Sequence, residues 1–160
     1  MSKEVADMAQ TDAILRILGG EKTITAKRGR KRGKTAMSRR AMIHLIREGL
    51  SYRAADQVRK YYGLSDNQFR ALLGFSSRTL ARREAAKKPL TPAQSDRVYR
   101  LARVGAHAEE VFADADTARD WLAAPNRALN GANPLDLLDT DVGTEQVEEV
   151  LLRIEHGVFG

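Results

Sequence analysis

Apolar residues recur at intervals of three and four along most of this chain, the spacing that gives an α-helix one apolar face. Stripes of this kind lie within residues 69–73, 98–104 and 147–154. No segment of any length alternates apolar and polar residues as a half-buried β-strand would. We therefore predict an all-α protein, and the chain shows no internal repeat.

Small polar residues and glycines mark where the predicted helices begin and end. Ser and Thr accept hydrogen bonds from the free N–H groups of a first helical turn, and glycine adopts the left-handed conformation that ends many helices. The predicted starts are Ser38, Ser51, Ser65, Ser76, Thr91 and Thr140 or Asp141, and the predicted ends are Gly49, Gly63, Gly74 and Gly157. Further helices are predicted over 117–122 and in a short segment opened by Pro134. An amphipathic helix is predicted over 1–18, and its apolar face consists of Val5, Met8, Ile14, Leu15 and Leu18.

Two expectations concern single positions in these helices. The helix that begins at Thr91 carries Arg97, Arg100 and Arg103, which we expect to form a solvated face. Trp121 is expected to anchor the core, because a large aromatic side chain contributes most when it is buried.

Residues 65–88 read as a helix, a tight turn and a second, basic helix. Ser65 and Gln68 have the spacing of a capping box at the start of the first helix. Gly74 ends that helix, Phe75 is expected to pack into the corner, and Ser76 is expected to cap the next helix. This plan is that of a helix-turn-helix, in which the second helix enters the major groove of DNA.

The second helix of this motif supplies the candidate DNA-binding residues, which are Ser76, Ser77, Arg78, Thr79, Arg82 and Arg83. Ser77, Arg78 and Arg82 are expected to face base edges, and Ser76 a phosphate. Arg70 departs from the motif, which usually has a small residue at that position. The alternative is a plain helical hairpin with a solvated basic face.

Composition and motifs exclude several classes of protein. The chain has no cysteine, hence no disulfide and no thiolate chemistry, and its three histidines are far apart, so we expect no metal site. It contains no catalytic triad spacing, no HExxH and no phosphate-binding glycine loop, so we expect neither an enzyme nor a cofactor. It lacks an apolar run of about 18 residues and a signal-peptide pattern, so we expect a cytoplasmic protein.

The net charge of +6 hides an asymmetry between the two parts of the chain. Residues 1–104 hold 24 Lys and Arg against 9 Asp and Glu, whereas residues 105–160 hold 3 against 12. A basic part suits a polyanion and an acidic part would be repelled by it, so two surfaces for two partners are indicated. The basic run over 27–34 is either a flexible arm along a phosphate backbone or a solubilising linker.

The order of motifs through the second half resembles a known family. Residues 126–131, 134–138 and 153–159, with Trp121-Leu122, Gly143, Val147 and Leu151, resemble the toxin-binding domain of the ParS/MbcA/Xre antitoxins. Residues 74–83, with Leu90-Thr91 and 95–97, are similar to the Xre-type DNA-binding domain of the same family. The resemblance covers about residues 48–160.

This resemblance implies an Xre-like helix-turn-helix DNA-binding domain followed by a small helical toxin-binding domain. We predict an N-terminal segment over 1–36, a DNA-binding domain over 37–104 and a toxin-binding domain over 105–160. The implied function is that of an antitoxin that inhibits a cognate RES-domain toxin, which degrades NAD⁺, and that represses its own operon. The implied partners are that toxin and operator DNA, bound by a homodimer within a higher-order toxin–antitoxin complex. The alternative is a stand-alone transcriptional regulator whose C-terminal domain only dimerises.

The implied toxin-binding residues lie in two places of the C-terminal part, and they are Arg127, Asn130, Glu145, Glu149, Arg153, His156, Gly157, Val158, Phe159 and Gly160. The alternative for Arg127 and Asn130 is that they shape the loop. The alternative for Glu145 and Glu149 is that their carboxylates interact favourably with the positive end of the helix dipole. The segment from His156 to Gly160 ends on apolar residues and is hypothesised to plug the toxin's NAD⁺ pocket. Alternatively, Phe159 covers the antitoxin's own core.

Overall fold

The computed structural model describes residues 3–24 and 37–158. Within these residues it has nine α-helices, two short 3₁₀ helices and no β-strand, which confirms the all-α prediction. The α-helices are α1 (Lys3–Ile17), α2 (Glu21–Ile24), α3 (Arg39–Glu48), α4 (Tyr52–Tyr62), α5 (Asp66–Leu73), α6 (Ser77–Ala86), α7 (Pro92–Phe112), α8 (Ala115–Ala123) and α9 (Asp141–Glu155). The 3₁₀ helices are Arg127–Leu129 and Pro134–Asp139.

The predicted helix caps are confirmed. The hydroxyl groups of the six predicted Ser and Thr caps each accept a hydrogen bond from the N–H group three residues further along: Ser38, Ser51, Ser65, Ser76, Thr91 and Thr140. Gln68 and Gln94 complete capping boxes at α5 and α7. Each cap satisfies backbone donors that have no partner inside the helix, so the sequence fixes these helix starts locally.

Helix α7 is the longest helix and lies at the centre of the packing. It contacts α1, α3, α4, α5, α8 and α9. Val98, Leu101, Ala102 and Val104 on this helix are almost fully buried. Because α7 runs unbroken past the predicted boundary between residues 104 and 105, the two predicted domains share this helix and one hydrophobic core.

Helix α1 is part of the same core. Ile14, Ile17 and Leu18 are at most 5% exposed, and the helix packs on α7 and α4. Arg16 forms an ion pair with Glu109 of α7. Residues 3–24 of the predicted N-terminal segment therefore belong to the folded body, while the basic run over 27–34 lies outside the described residues.

The expectation of a solvated arginine face on α7 was wrong. Arg97 donates a hydrogen bond to the carbonyl of Leu73, and Arg103 donates to the carboxylate of Glu148. Arg100 pairs with Asp96 and Asp141, and its side chain is only 14% exposed. The sequence shows the three cations but not the acceptors that α5 and α9 bring to them from a distance along the chain.

The only tryptophan lies at the edge of the core. Trp121 is partly buried, and its ring centroid is 5.5 Å from that of Phe112. This packing joins the end of α7 to α8, as the predicted anchoring role requires, although the indole is not fully enclosed.

Candidate functional surfaces

Helices α5 and α6 have the geometry of a helix-turn-helix. Three residues join them, and Gly74 has a φ of 65°, in the left-handed region that glycine adopts without strain. The N–H of Phe75 donates to the carbonyl of Arg70, which closes the end of α5, and the Phe75 side chain is 7% exposed. The predicted turn and corner residue are thus confirmed.

The first turn of α6 is held by Ser76. Its hydroxyl oxygen accepts from the N–H of Thr79 at 3.1 Å and lies 2.7 Å from the Thr79 hydroxyl oxygen. Ser76 is exposed and Thr79 is half-buried. The Ser76 hydroxyl therefore fixes the start of the helix, and an anion at this position would meet the positive end of the helix dipole.

The arginines of α6 have different surroundings. Arg78 and Arg82 are exposed, four residues apart on the same face of the helix. Arg83 is half-buried, and its guanidinium donates to the carbonyl of Pro89 at 2.6 Å. Arg83 therefore braces the connection to α7, which is a structural role that the sequence did not indicate. The side chain of Ser77 lies outside the described part of the structure.

A second candidate surface is the exposed face of α9. Glu145 and Glu149 are exposed, and Arg153 donates to Glu149 at 2.5 Å. His156 is exposed beyond the end of the helix. The structure thus places these four predicted toxin-binding residues on one side of α9, opposite the buried stripe that begins at Val147.

Two apolar residues on this face were missed by the sequence reasoning. Val142 is 69% exposed and Leu152 is 47% exposed. Together with Glu145 and Glu149 they follow the spacing i, i+3, i+7, i+10, so they share one side of the helix. The same helical period that predicted the buried stripe would have found them. We call Val142, Glu145, Glu149, Leu152 and His156 the α9 face.

The loop before α9 is shaped by its own hydrogen bonds. The side chain of Asn126 accepts from the N–H of Ala128, and its carbonyl accepts from the N–H of Gly131. Asn130 has a φ of 55° and is exposed, as is Arg127. Both predicted residues are therefore accessible, and the conformation of Asn130 supports its expected part in forming the loop.

The predicted end of α9 is confirmed. Gly157 has a φ of 66°, and the N–H of Val158 donates to the carbonyl of Arg153 at 2.8 Å. This bonding is that of a glycine-terminated helix, in which the chain turns away after the glycine. Val158 is 59% exposed, while Phe159 and Gly160 lie outside the described residues.

Other kinds of site are not found in the part of the chain that the structure describes. Residues 3–24 and 37–158 hold no group of three His, Asp or Glu side chains arranged around a common metal position. None of the helices in these ranges is long and apolar enough to cross a bilayer.

Two family models match this arrangement in the same order. Residues 41–103 match the antitoxin Xre-like helix-turn-helix domain, and residues 107–157 match the antitoxin Xre/MbcA/ParS C-terminal toxin-binding domain. The two matched regions meet inside α7 and together include α6 and α9. A helix-turn-helix joined to a toxin-binding domain defines the class of DNA-binding antitoxins.

Individual antitoxins show the same relationship. The chain is 31% identical to an Antitoxin Xre of Photorhabdus laumondii over 115 residues, which is 71% of this chain and 78% of the relative. It is 45% identical over 80 residues to an Antitoxin Xre of Pseudomonas putida, which spans half of each protein. It is 31% identical over 96 residues to a Prs ADP-ribosylating antitoxin of a Sphingobium species, covering 54% of this chain and 60% of the relative. The chain belongs to the Antitoxin Xre family.

Proposed function

We propose that this antitoxin binds and inhibits a cognate RES-domain toxin that degrades NAD⁺, and that it represses its own operon by binding operator DNA. The observation that carries the proposal is the presence of two exposed surfaces of different chemistry on one chain. Arg78 and Arg82 project from α6 of the helix-turn-helix, and carboxylates with apolar side chains project from α9 of the toxin-binding domain.

The distribution of charge supports two different partners. The basic residues 1–104 attract the phosphates of DNA, and the acidic residues 105–160 repel them. DNA bound to α6 is therefore kept from the α9 face by electrostatic repulsion. A protein partner that offers cations around an apolar patch would complement Glu145, Glu149 and Leu152.

The proposed chemistry of the toxin rests on the family resemblance and on one relative. The name of the Sphingobium protein connects that antitoxin with ADP-ribosylation, a reaction in which NAD⁺ is the donor. Both NAD⁺ hydrolysis and ADP-ribosyl transfer require the toxin to bind NAD⁺. We propose that the exposed Val158 and the residues that follow it reach the NAD⁺ pocket of such a toxin.

The proposed DNA-binding form is a homodimer. A single helix-turn-helix makes few base contacts, whereas a two-fold pair reads two half-sites about one helical turn of DNA apart. Each operator would then be contacted by two copies of Ser76, Arg78, Thr79 and Arg82, one from each subunit. A single protected half-site in footprinting, together with a monomer in ultracentrifugation, would contradict this arrangement.

Co-expression with the neighbouring toxin gene tests the inhibitory function. We expect the toxin alone to deplete cellular NAD⁺ and the antitoxin to restore it through a complex that survives purification. Glu149→Lys should weaken that complex because it reverses a charge on the α9 face. Glu110→Lys is the matched control, since it reverses an exposed charge on α7 instead.

The outcomes separate the candidate functions. Unchanged NAD⁺ with ADP-ribosylated target proteins would identify a transferase toxin in place of an NAD⁺-degrading one. Operator binding without any toxin complex would favour the stand-alone regulator. Neutralisation that Glu149→Lys and Glu110→Lys affect equally would remove the α9 face from the toxin interface.

A further inference from the structure

We propose that Arg97 is a positioning residue for DNA recognition, which sets the orientation of α6 by holding the turn between α5 and α6. The proposal rests on the DNA-binding function proposed above for the helix-turn-helix. It concerns a residue of α7, outside the α5–α6 motif. The supporting observations are a hydrogen bond, the space above one glycine and the anchoring of the helix that carries Arg97.

The guanidinium of Arg97 closes the end of α5. Its Nη1 donates to the carbonyl oxygen of Leu73, the last residue of α5, at 2.8 Å. The carbonyls of a last helical turn have no partner within the helix, and they form the negative end of the helix dipole. A cation that donates to one of them both satisfies the carbonyl and complements the dipole.

The guanidinium of Arg97 occupies the space beside Gly74 that a side chain at residue 74 would take. A Cβ atom at Gly74 would collide with Nη1 of Arg97. Gly74 therefore combines a left-handed backbone, with a φ of 65°, with room for the guanidinium in its observed position. Since only Phe75 and Ser76 separate Gly74 from the first residue of α6, a displacement of this turn moves the recognition helix directly.

The first turns of α7, which carry Arg97, are held in place by several hydrogen bonds. Thr91 and Gln94 form the capping box of the first turn of α7. Ser95 is fully buried, and its hydroxyl accepts a hydrogen bond at 2.8 Å from the N–H of Leu50. The carbonyl of Leu50 accepts from the N–H of Leu90 at 2.8 Å. Arg97 thus links an anchored helix to the turn through a hydrogen bond that comes from outside the α5–α6 motif.

A direct contact of Arg97 with DNA is the competing explanation, and it makes a different prediction. A phosphate contact would add affinity for every DNA sequence and would contribute about one unit to the salt dependence of binding. A positioning role would affect the base contacts of Arg78 and Arg82, which distinguish the operator from other DNA.

The test compares the full chain and Arg97→Met on two duplexes of equal length, the operator defined by footprinting and a scrambled version of it. We expect Arg97→Met to lower operator affinity about tenfold, the loss of one good base contact, and to leave scrambled-duplex affinity within about twofold. The salt slope on the scrambled duplex should stay unchanged. Arg97→Gln, which is too short to reach the Leu73 carbonyl, gives the same readout if the methionine variant does not fold.

Arg100→Met is the matched control, because it removes the same group three residues further along α7, where the partners are Asp96 and Asp141. It should reduce thermal stability and keep the discrimination between the two duplexes. Equal losses of Arg97→Met on both duplexes, with a smaller salt slope, would overturn the positioning role in favour of a phosphate contact. A lower melting temperature with unchanged discrimination, or the same loss of discrimination in Arg100→Met, would also overturn it. If the wild-type chain does not distinguish the duplexes, it is the proposed DNA-binding function that fails.

Discussion

At the scale of single residues, neighbouring arginines of α6 have separate tasks. The guanidinium of Arg83 is occupied by the Pro89 carbonyl, whereas Arg78 and Arg82 extend from the exposed face. Sequence reasoning grouped all three as DNA-binding residues, because each is a cation of the same helix. The carbonyl that occupies Arg83 lies in the connection to α7, and its position depends on how α7 packs.

The first prediction concerns the two exposed arginines. Arg78→Ala and Arg82→Ala should each weaken operator binding by about 1–3 kcal/mol, since each removes a potential pair of hydrogen bonds to a base edge. Toxin neutralisation should be unchanged because neither residue belongs to the toxin-binding domain. Titration of operator DNA by fluorescence anisotropy measures the effect, and wild-type affinity in both variants would mean that α6 does not read the bases.

Two tyrosines at the end of α4 should make the stability of the protein decrease at alkaline pH. Burial, with the hydrogen bond to Glu109, raises the pKa of Tyr61, and burial raises the pKa of Tyr62 well above its usual value. The hydroxyl of Tyr61 donates to Glu109 at 2.7 Å, and that of Tyr62 donates to the carbonyl of Leu101 at 2.7 Å. Both groups are therefore held in the neutral, protonated form in the folded protein.

The second prediction follows from these pKa values. A folded-state pKa above the unfolded value leaves stability constant below about pH 10 and reduces it above that pH, by up to about 1.4 kcal/mol per pH unit for each tyrosine. Thermal melts between neutral pH and pH 11 should show this decline, and Tyr61→Phe should have a shallower decline than the wild type. A variant that loses stability as steeply as the wild type would show that folding does not raise the pKa of Tyr61.

At the scale of elements, α1 shows which properties of a helix the sequence predicts and which it does not. The period of three and four predicted the helix and its apolar residues, and the structure confirms Ile14, Leu15 and Leu18 as core residues. It did not predict the partner of this helix, because α1 packs on α7, which lies about 80 residues later in the sequence. Met8, included in the same apolar face, is 53% exposed.

The third prediction compares Met8 of α1 with Leu18, which directly follows this helix. Leu18→Ala should destabilise the protein by about 2–5 kcal/mol, because it leaves a cavity where a fully buried side chain was. Met8→Ala, at an exposed position of α1, should change stability by no more than about 0.5 kcal/mol. Chemical denaturation measures both, and equal small effects would mean that α1 is detached from the core in solution.

The fourth prediction concerns the segment that follows α9. A chain that stops after Gly157 keeps the hydrogen bond of Gly157 to Ile154 and every buried residue of α9. We expect its melting temperature and its operator binding to equal those of the longer chain, and its ability to protect NAD⁺ to be lost. A lower melting temperature would instead favour the alternative in which Phe159 covers the antitoxin's core, and full neutralisation would exclude the pocket hypothesis.

At the scale of the whole molecule, the order of the parts was readable from the sequence but their packing was not. Caps, glycines and helical periods are local, so they predicted the helix starts and the turn at Gly74. The arginines of α7 were misinterpreted because their acceptors, Leu73 and Glu148, come from other elements. The α9 face was found only in part, since its apolar members Val142 and Leu152 were missed.

The fifth prediction tests the basic run as a part of the whole chain. Deletion of residues 27–34 should lower affinity for all DNA alike and should flatten the dependence of affinity on salt, because fewer counterions are released on binding. Replacement of the same eight residues by a Gly/Ser segment of equal length is the control for spacing. An unchanged salt slope in both variants would make the run a linker.

Helix α7 also limits how such antitoxins can exchange their specificities. Recombination between two antitoxin genes could combine the operator preference of one with the toxin preference of the other, and the natural joint lies near residue 104. This joint is inside a helix, where one inserted residue turns everything beyond it by about 100° and advances it by about 1.5 Å. The pairing of Arg100 with Asp141 and of Arg103 with Glu148 would not survive that rotation. Viable hybrids must therefore preserve the length of α7.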